Sequence, residues 1–121
     1  MGKVFHSRFI KISLLNELQD LFQKEAGELI ELYLQNSIKK IATLYKALEE
    51  YNIDNFKAAA QELRLRSIDI GAVQFSYYCL GLEMAVQEMC LERLPQLTSL
   101  VENKFRQIYL ELEELKNTVK F

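Results

Sequence analysis

Histidine is almost missing from this chain: His6, near the N-terminus, is the only one among 121 residues. A single imidazole excludes the clustered histidines of most zinc and di-iron sites, and it leaves little material for histidine-based acid–base chemistry. Cysteine is nearly as scarce. Cys79 and Cys90 are the only two, and their spacing matches no metal-ligand motif. The stretch between them reads as one helix, in which eleven steps of about 1.5 Å would hold the sulfurs some 16 Å apart and forbid a bridge. One proline and four glycines leave few breaks in the chain, and no glycine-rich phosphate loop can be assembled from them. Long apolar runs are missing too, so no segment approaches membrane-spanning length. Lys3, His6, Arg8 and Lys11 crowd the first residues without the apolar stretch of a signal peptide, and a cytoplasmic location is the expectation. A net charge of −2 offers no bulk attraction to nucleic acid or anionic lipid.

What is present is ample apolar material. Hydrophobic residues make up 50% of the sequence and charged residues 26%, a balance that allows one folded domain over residues 1–121 with a core needing neither disulfide nor metal. The apolar positions recur with a helical period nearly throughout. A short amphipathic helix is expected at about 13–22, with Ser13 as its cap and Leu14, Leu15, Leu18, Leu21 and Phe22 on one side. The next begins near Lys24 or Glu25 and runs to about Glu50, with Leu29, Leu32, Tyr33, Asn36, Ile41, Leu44 and Leu48 as its apolar stripe. Tyr51-Asn52 marks a turn, with Asn52 and Asp54 as turn or capping groups.

A third helix is expected over about 54–70. At 100° per residue Phe56, Ala60, Leu63, Ser67 and Ile70 fall on one side, whereas Gln61, Arg64, Leu65 and Ile68 project from another that is unusually apolar for a solvated surface. Gly71 is placed to end this helix in a left-handed conformation. A further helix follows over about 73–91, with Val73, Tyr77, Leu80, Met84 and Leu91 as its stripe. Pro95 suits the first turn of the last helix, which reaches about Asn117 and carries Leu97, Leu100, Val101, Phe105, Ile108, Leu112 and Leu115 on its apolar side. Short connections favour antiparallel neighbours, so the expected fold is all-α: an up-down-up-down four-helix bundle over about 24–117 with the short N-terminal helix added. Glu25, Glu28 and Glu31 have helical spacing but no Glu-x-x-His partner, and they read as a solvated face.

The segment Ala59–Ala72, AAQELRLRSIDIGA, carries a more specific signal. It resembles the phosphoacceptor helix of histidine-containing phosphotransfer (HPt) domains, whose pattern is roughly A-H-x-L-K-G-x-S-x-x-x-G-A. Ala60, Leu63, Ser67, Gly71 and Ala72 fall in register without a gap, and the turn before the helix is similar to the family's hinge. The resemblance extends over about residues 14–116. Three positions depart from the pattern: Arg64 stands for lysine, Leu65 for glycine, and Gln61 for the acceptor histidine. An amide nitrogen has its lone pair delocalised into the carbonyl, so Gln61 can form hydrogen bonds but cannot carry a phosphoryl group. Leucine in place of glycine adds bulk where a partner's active site would approach.

The resemblance therefore implies a degenerate, noncatalytic signalling module, a pseudo-HPt protein that binds a response-regulator receiver domain or a sensor histidine kinase. Its expected partner surface centres on Gln61, Arg64, Leu65 and Ile68, with Glu62 and residues from the helix at about 24–50 at its rim. Arg64 would face the receiver's acidic pocket. No metal, cofactor, nucleic acid or membrane enters this reading. Two alternatives stand beside it: a structural or oligomerising helical bundle that buries the Leu65 side against another copy, and an engineered acceptor-null HPt protein. Leu65 and Ile68 would be equally explained if the N-terminal segment covered them.

Overall fold

The computed structural model describes residues 25–118. The expected helix at 13–22, its cap Ser13 and the lone His6 lie outside them. Four helices follow in order: α1 (Ala26–Glu49), α2 (Ile53–Asp69), α3 (Val73–Gln87) and α4 (Leu94–Thr118), with a single 3-10 turn at Leu91–Arg93. No strand occurs among the described residues. Each helix packs on its neighbours in sequence, and α4 returns against α1 to close the bundle. The return is antiparallel. Glu31 near the start of α1 meets Lys116 near the end of α4 at 2.8 Å, while Tyr45 near the end of α1 donates to Glu102 in the first half of α4 at 2.9 Å.

The core follows the helical period. Leu34 and Leu44 of α1, Phe56 and Leu63 of α2, Phe75 and Leu82 of α3, and Ile108 and Leu112 of α4 are fully buried. Phe105 ties three helices together: its ring lies 6.3 Å from that of Tyr33 on α1 and 5.8 Å from that of Phe75 on α3, in tilted geometries favourable for aromatic pairs. On α2 the inward row is the expected one, with Phe56, Ala60, Leu63, Ser67 and Ile70 all buried.

Three helices end by one device. After α1, α2 and α3 the chain passes through a left-handed residue, Tyr51 (φ 53°), Gly71 (φ 90°) and Met89 (φ 59°). In each case the next residue's N–H reaches back across the last turn: Asn52 to Ala47 O at 2.9 Å, Ala72 to Ser67 O at 2.8 Å, and Cys90 to Ala85 O at 2.8 Å. This is the Schellman arrangement, which satisfies carbonyls that the helix leaves orphaned. Asn52 also caps α2, its side-chain oxygen accepting from the Asn55 N–H at 3.1 Å.

Four expectations are corrected. The helix expected to reach residue 91 stops at Gln87, because Met89 adopts the left-handed conformation without the glycine that usually signals it. Cys90 accordingly lies beyond α3 rather than on one helix with Cys79, and both thiols are free. The buried side of α3 is also different: Phe75, Ser76, Cys79, Leu82, Ala85 and Val86 face inward, while Tyr77 and Met84 are exposed. Apolar residues surround this helix, so their period does not choose a face. On α1, Tyr33, Ile41 and Leu44 are buried as expected, but Leu29 and Leu32 are exposed.

Candidate functional site

The outward side of α2 is built by the packing of its inward side. Ala60 and Ser67 are completely buried and small, which lets the neighbouring helices approach closely. Ser67 donates to Leu63 O at 2.7 Å and meets the Tyr33 hydroxyl at 2.7 Å, pinning α2 to α1 through a buried polar contact. With the Ser67 proton directed at Leu63, Tyr33 is the donor of the second bond. Burial pushes the Tyr33 phenol far above its ordinary range, so it stays a neutral donor. Burial, followed by the nearby Glu83 carboxylate, pushes the Cys79 thiol up to about 12. Cys79 is a packing residue, not a nucleophile.

With that row fixed inward, Gln61, Leu65 and Ile68 project outward. Gln61 is exposed, and Leu65 and Ile68 keep 47% and 41% of their surface open. Gln61, Glu62 and Leu65 line a shallow depression with Ala58, Arg66 and Asp69. Glu62 is half-buried at its rim, paired with Lys40 of α1 at 2.8 Å and with Arg66 one turn along α2 at 3.3 Å. The hydrogen bond from Lys40 leads the causes that hold the Glu62 carboxyl below its ordinary value.

Arg64 is turned away from this depression. Its Nε–H donates to Glu83 Oε2 of α3 at 2.5 Å and its Nη2 to Glu83 Oε1 at 3.2 Å, a two-pronged pair that raises the guanidinium pKa further. The structure thus brings Gln61, Glu62, Leu65 and Ile68 onto one open face and sets Arg64 at its α3 edge, already partnered. Sequence reasoning missed Glu83. The two residues are 19 positions apart on different helices, so no spacing rule connects them. On the α1 side, where residues of this helix were expected at the rim without being named, Leu29, Leu32 and Asn36 line a second depression of about 220 Å³ with Arg66, Asp69 and Ile70. The helical period put both leucines on one broad apolar stripe of α1; their exposure was not visible in the pattern.

Glu31 is not simply part of a solvated acidic face. It accepts from Lys116 of α4 and from Gln35 one turn on, and the Lys116 bond is the main cause that lowers its pKa. A larger apolar groove of about 670 Å³ runs along the α1/α4 seam, lined by Ile38, Ile41, Ala42, Tyr45, Phe105 and Tyr109. None of these is a nucleophile activated for chemistry. Among the described residues no group of His, Cys, Asp and Glu could hold a metal ion, and no helix is long and apolar enough to cross a membrane.

No family model matches the sequence, and no curated protein does. Among solved structures the chain is similar to histidine-containing phosphotransfer protein B (HptB) from Pseudomonas aeruginosa PAO1, with a TM-score of 0.87 over 93% of this chain and 97% of that one. The chain has an HPt-like fold. Sequence identity to that protein is 21%, so the likeness is one of backbone architecture. Within an HPt-like bundle, α2 is the helix whose sequence resembles the family's acceptor segment, and it presents an amide at its open face.

Proposed function

We propose that this protein is a pseudo-HPt signalling module, one domain over residues 1–121, that binds a receiver domain or a sensor histidine kinase and does not carry phosphoryl groups itself. One observation carries the reading: Gln61, in the acceptor register of the sequence pattern, is an exposed side chain on the open face of α2 in an HPt-like bundle. A histidine there would be a nucleophile; the amide is not. Leu65 and Ile68 beside it supply apolar contact area in place of the room that glycine would leave. Recognition without relay follows, with no cofactor, and a cytoplasmic location accompanies it.

The test pairs binding with phosphotransfer. Receiver domains and kinase domains of the host, captured on the immobilised protein, are titrated calorimetrically against the wild type and against Leu65→Asp. The substitution is expected to weaken binding about tenfold or more, because it places a charge in an apolar contact. Unchanged affinity removes α2 as the docking surface. Incubation with a phosphorylated receiver is expected to leave no acid-labile label on this chain, and label at any residue overturns the noncatalytic assignment. The oligomeric alternative, favoured by the same exposed leucine, is read by light scattering: a stable dimer dissociated by Leu65→Asp, with no receiver or kinase bound, would replace the reading.

A further inference from the structure

Charges around Gln61 balance in number: Arg64, Lys40, Arg66 and Lys57 are matched by Glu83, Glu62, Asp69 and Asp54. Arg64, one turn along α2, has both prongs on Glu83, and the two side chains retain only 23% and 12% of their surface. Lys40 and Arg66 converge on Glu62. Beside these pairs the face opens the neutral amide of Gln61 with Leu65 and Ile68, bordered by the exposed charges of Arg66 and Asp69. Lys57, one turn before Gln61, is exposed, and the exposed Asp54 lies three residues before it on the same helix.

A phosphoryl group or a carboxylate cluster attracts a guanidinium strongly when its planar fork is free to donate. Here the fork is occupied. Moving Arg64 onto a partner would strand the Glu83 carboxylate, which is largely covered, without its counter-charge, and that loss offsets the new contact. We propose that Glu83 is a specificity-setting residue: by holding Arg64 against α3 it makes docking at the Gln61 face apolar and indifferent to whether the partner carries a phosphoryl group. The inference rests on the receiver-binding reading above and names the partner's contact chemistry, an apolar patch beside a receiver's acidic pocket. Glu83 acts through Arg64 and touches no partner itself.

Calorimetry on a receiver domain captured by the wild-type protein tests it, with the receiver in its magnesium form and in its beryllofluoride form, each at ~50 and ~300 mM salt. Wild-type Kd values are expected to agree within about twofold across all four conditions, as for a contact without net charge attraction. Glu83→Gln keeps the shape of the side chain and releases Arg64. It is expected to introduce a state preference and a salt dependence of about fivefold or more, readouts that a purely structural role of the pair would not move. Arg64→Met is expected to bind within about twofold of the wild type in both states, and circular dichroism establishes that each variant is folded. If Glu83→Gln fails to fold, the wild-type and Arg64→Met titrations decide alone. Wild-type binding that tracks the phosphoryl mimic about fivefold or more, or a comparable loss in Arg64→Met, overturns the inference and leaves receiver binding standing. A folded Glu83→Gln that stays indifferent to state and salt overturns it as well. If no receiver binds in either form, the inference falls, and the reading beneath it falls with it unless a sensor kinase binds.

Discussion

Individual side chains in this bundle are sorted by what surrounds them more than by what they are. Two thiols occur, yet they face different environments: Cys79 is completely buried with its pKa pushed up to about 12 by burial and the Glu83 charge, while Cys90 is half-exposed beyond the end of α3. A raised pKa leaves almost no thiolate at pH 8, and thiolate is the reactive form. Titration of the native protein with a thiol reagent at pH 8 is therefore expected to label Cys90 quickly and Cys79 only after denaturant is added. Two fast-reacting thiols in the native state would contradict the burial of Cys79. Arg64 makes the same point. Its charge and its place on α2 were readable from the sequence as features of an open face, but its orientation was decided by a carboxylate on another helix. Pairings of this kind depend on how α2 and α3 are set against each other, which a single sequence does not encode in any spacing.

At the scale of elements, the helices were legible and their ends only partly so. Gly71 and Asn52 announced themselves, one through its freedom to adopt positive φ and the other through a side chain that accepts from the next helix's first turn. Met89 did not, because a residue with a β-carbon occupies the left-handed position and the apolar run continues past it. The face of α3 was illegible for a related reason: Tyr77 and Met84 are as apolar as the residues that point inward. The non-glycine left-handed ends give a direct prediction. Met89 is 73% exposed and Tyr51 is 89% exposed, so Met89→Gly and Tyr51→Gly sacrifice little packing and relieve backbone strain. Each is expected to raise unfolding stability by about 1 kcal/mol in urea titrations. Gly71→Ala is expected to lower it by about as much, since φ there is 90°. Gly81→Ala, inside α3 with nothing within 4 Å of the added carbon, is expected to be stabilising by up to about 1 kcal/mol.

For the whole molecule, the all-helical bundle was readable from period and loop length, and its likeness to HptB agrees with the arrangement that the α2 pattern implied. The contacts that close it are unequal in reach. Arg64 and Glu83 join α2 to α3 across 19 positions, while Lys116 and Glu31 join α4 to α1 across 85. Closing the longer loop costs about 1 kcal/mol more chain entropy, and three residues suffice to connect α2 with α3. The hairpin that carries Gln61 thus has the more local support. Native-state hydrogen exchange is expected to show mid-helix amides of α2 and α3 persisting at least as long as those at the Glu31 and Lys116 ends of α1 and α4. Earlier loss of α2 protection would reverse that order. The face proposed for docking lies mostly on the part of the chain with the shortest closures, so damage at the α1/α4 seam is expected to be felt first as shortened lifetime in the cell and only afterwards as a misshapen α2 surface.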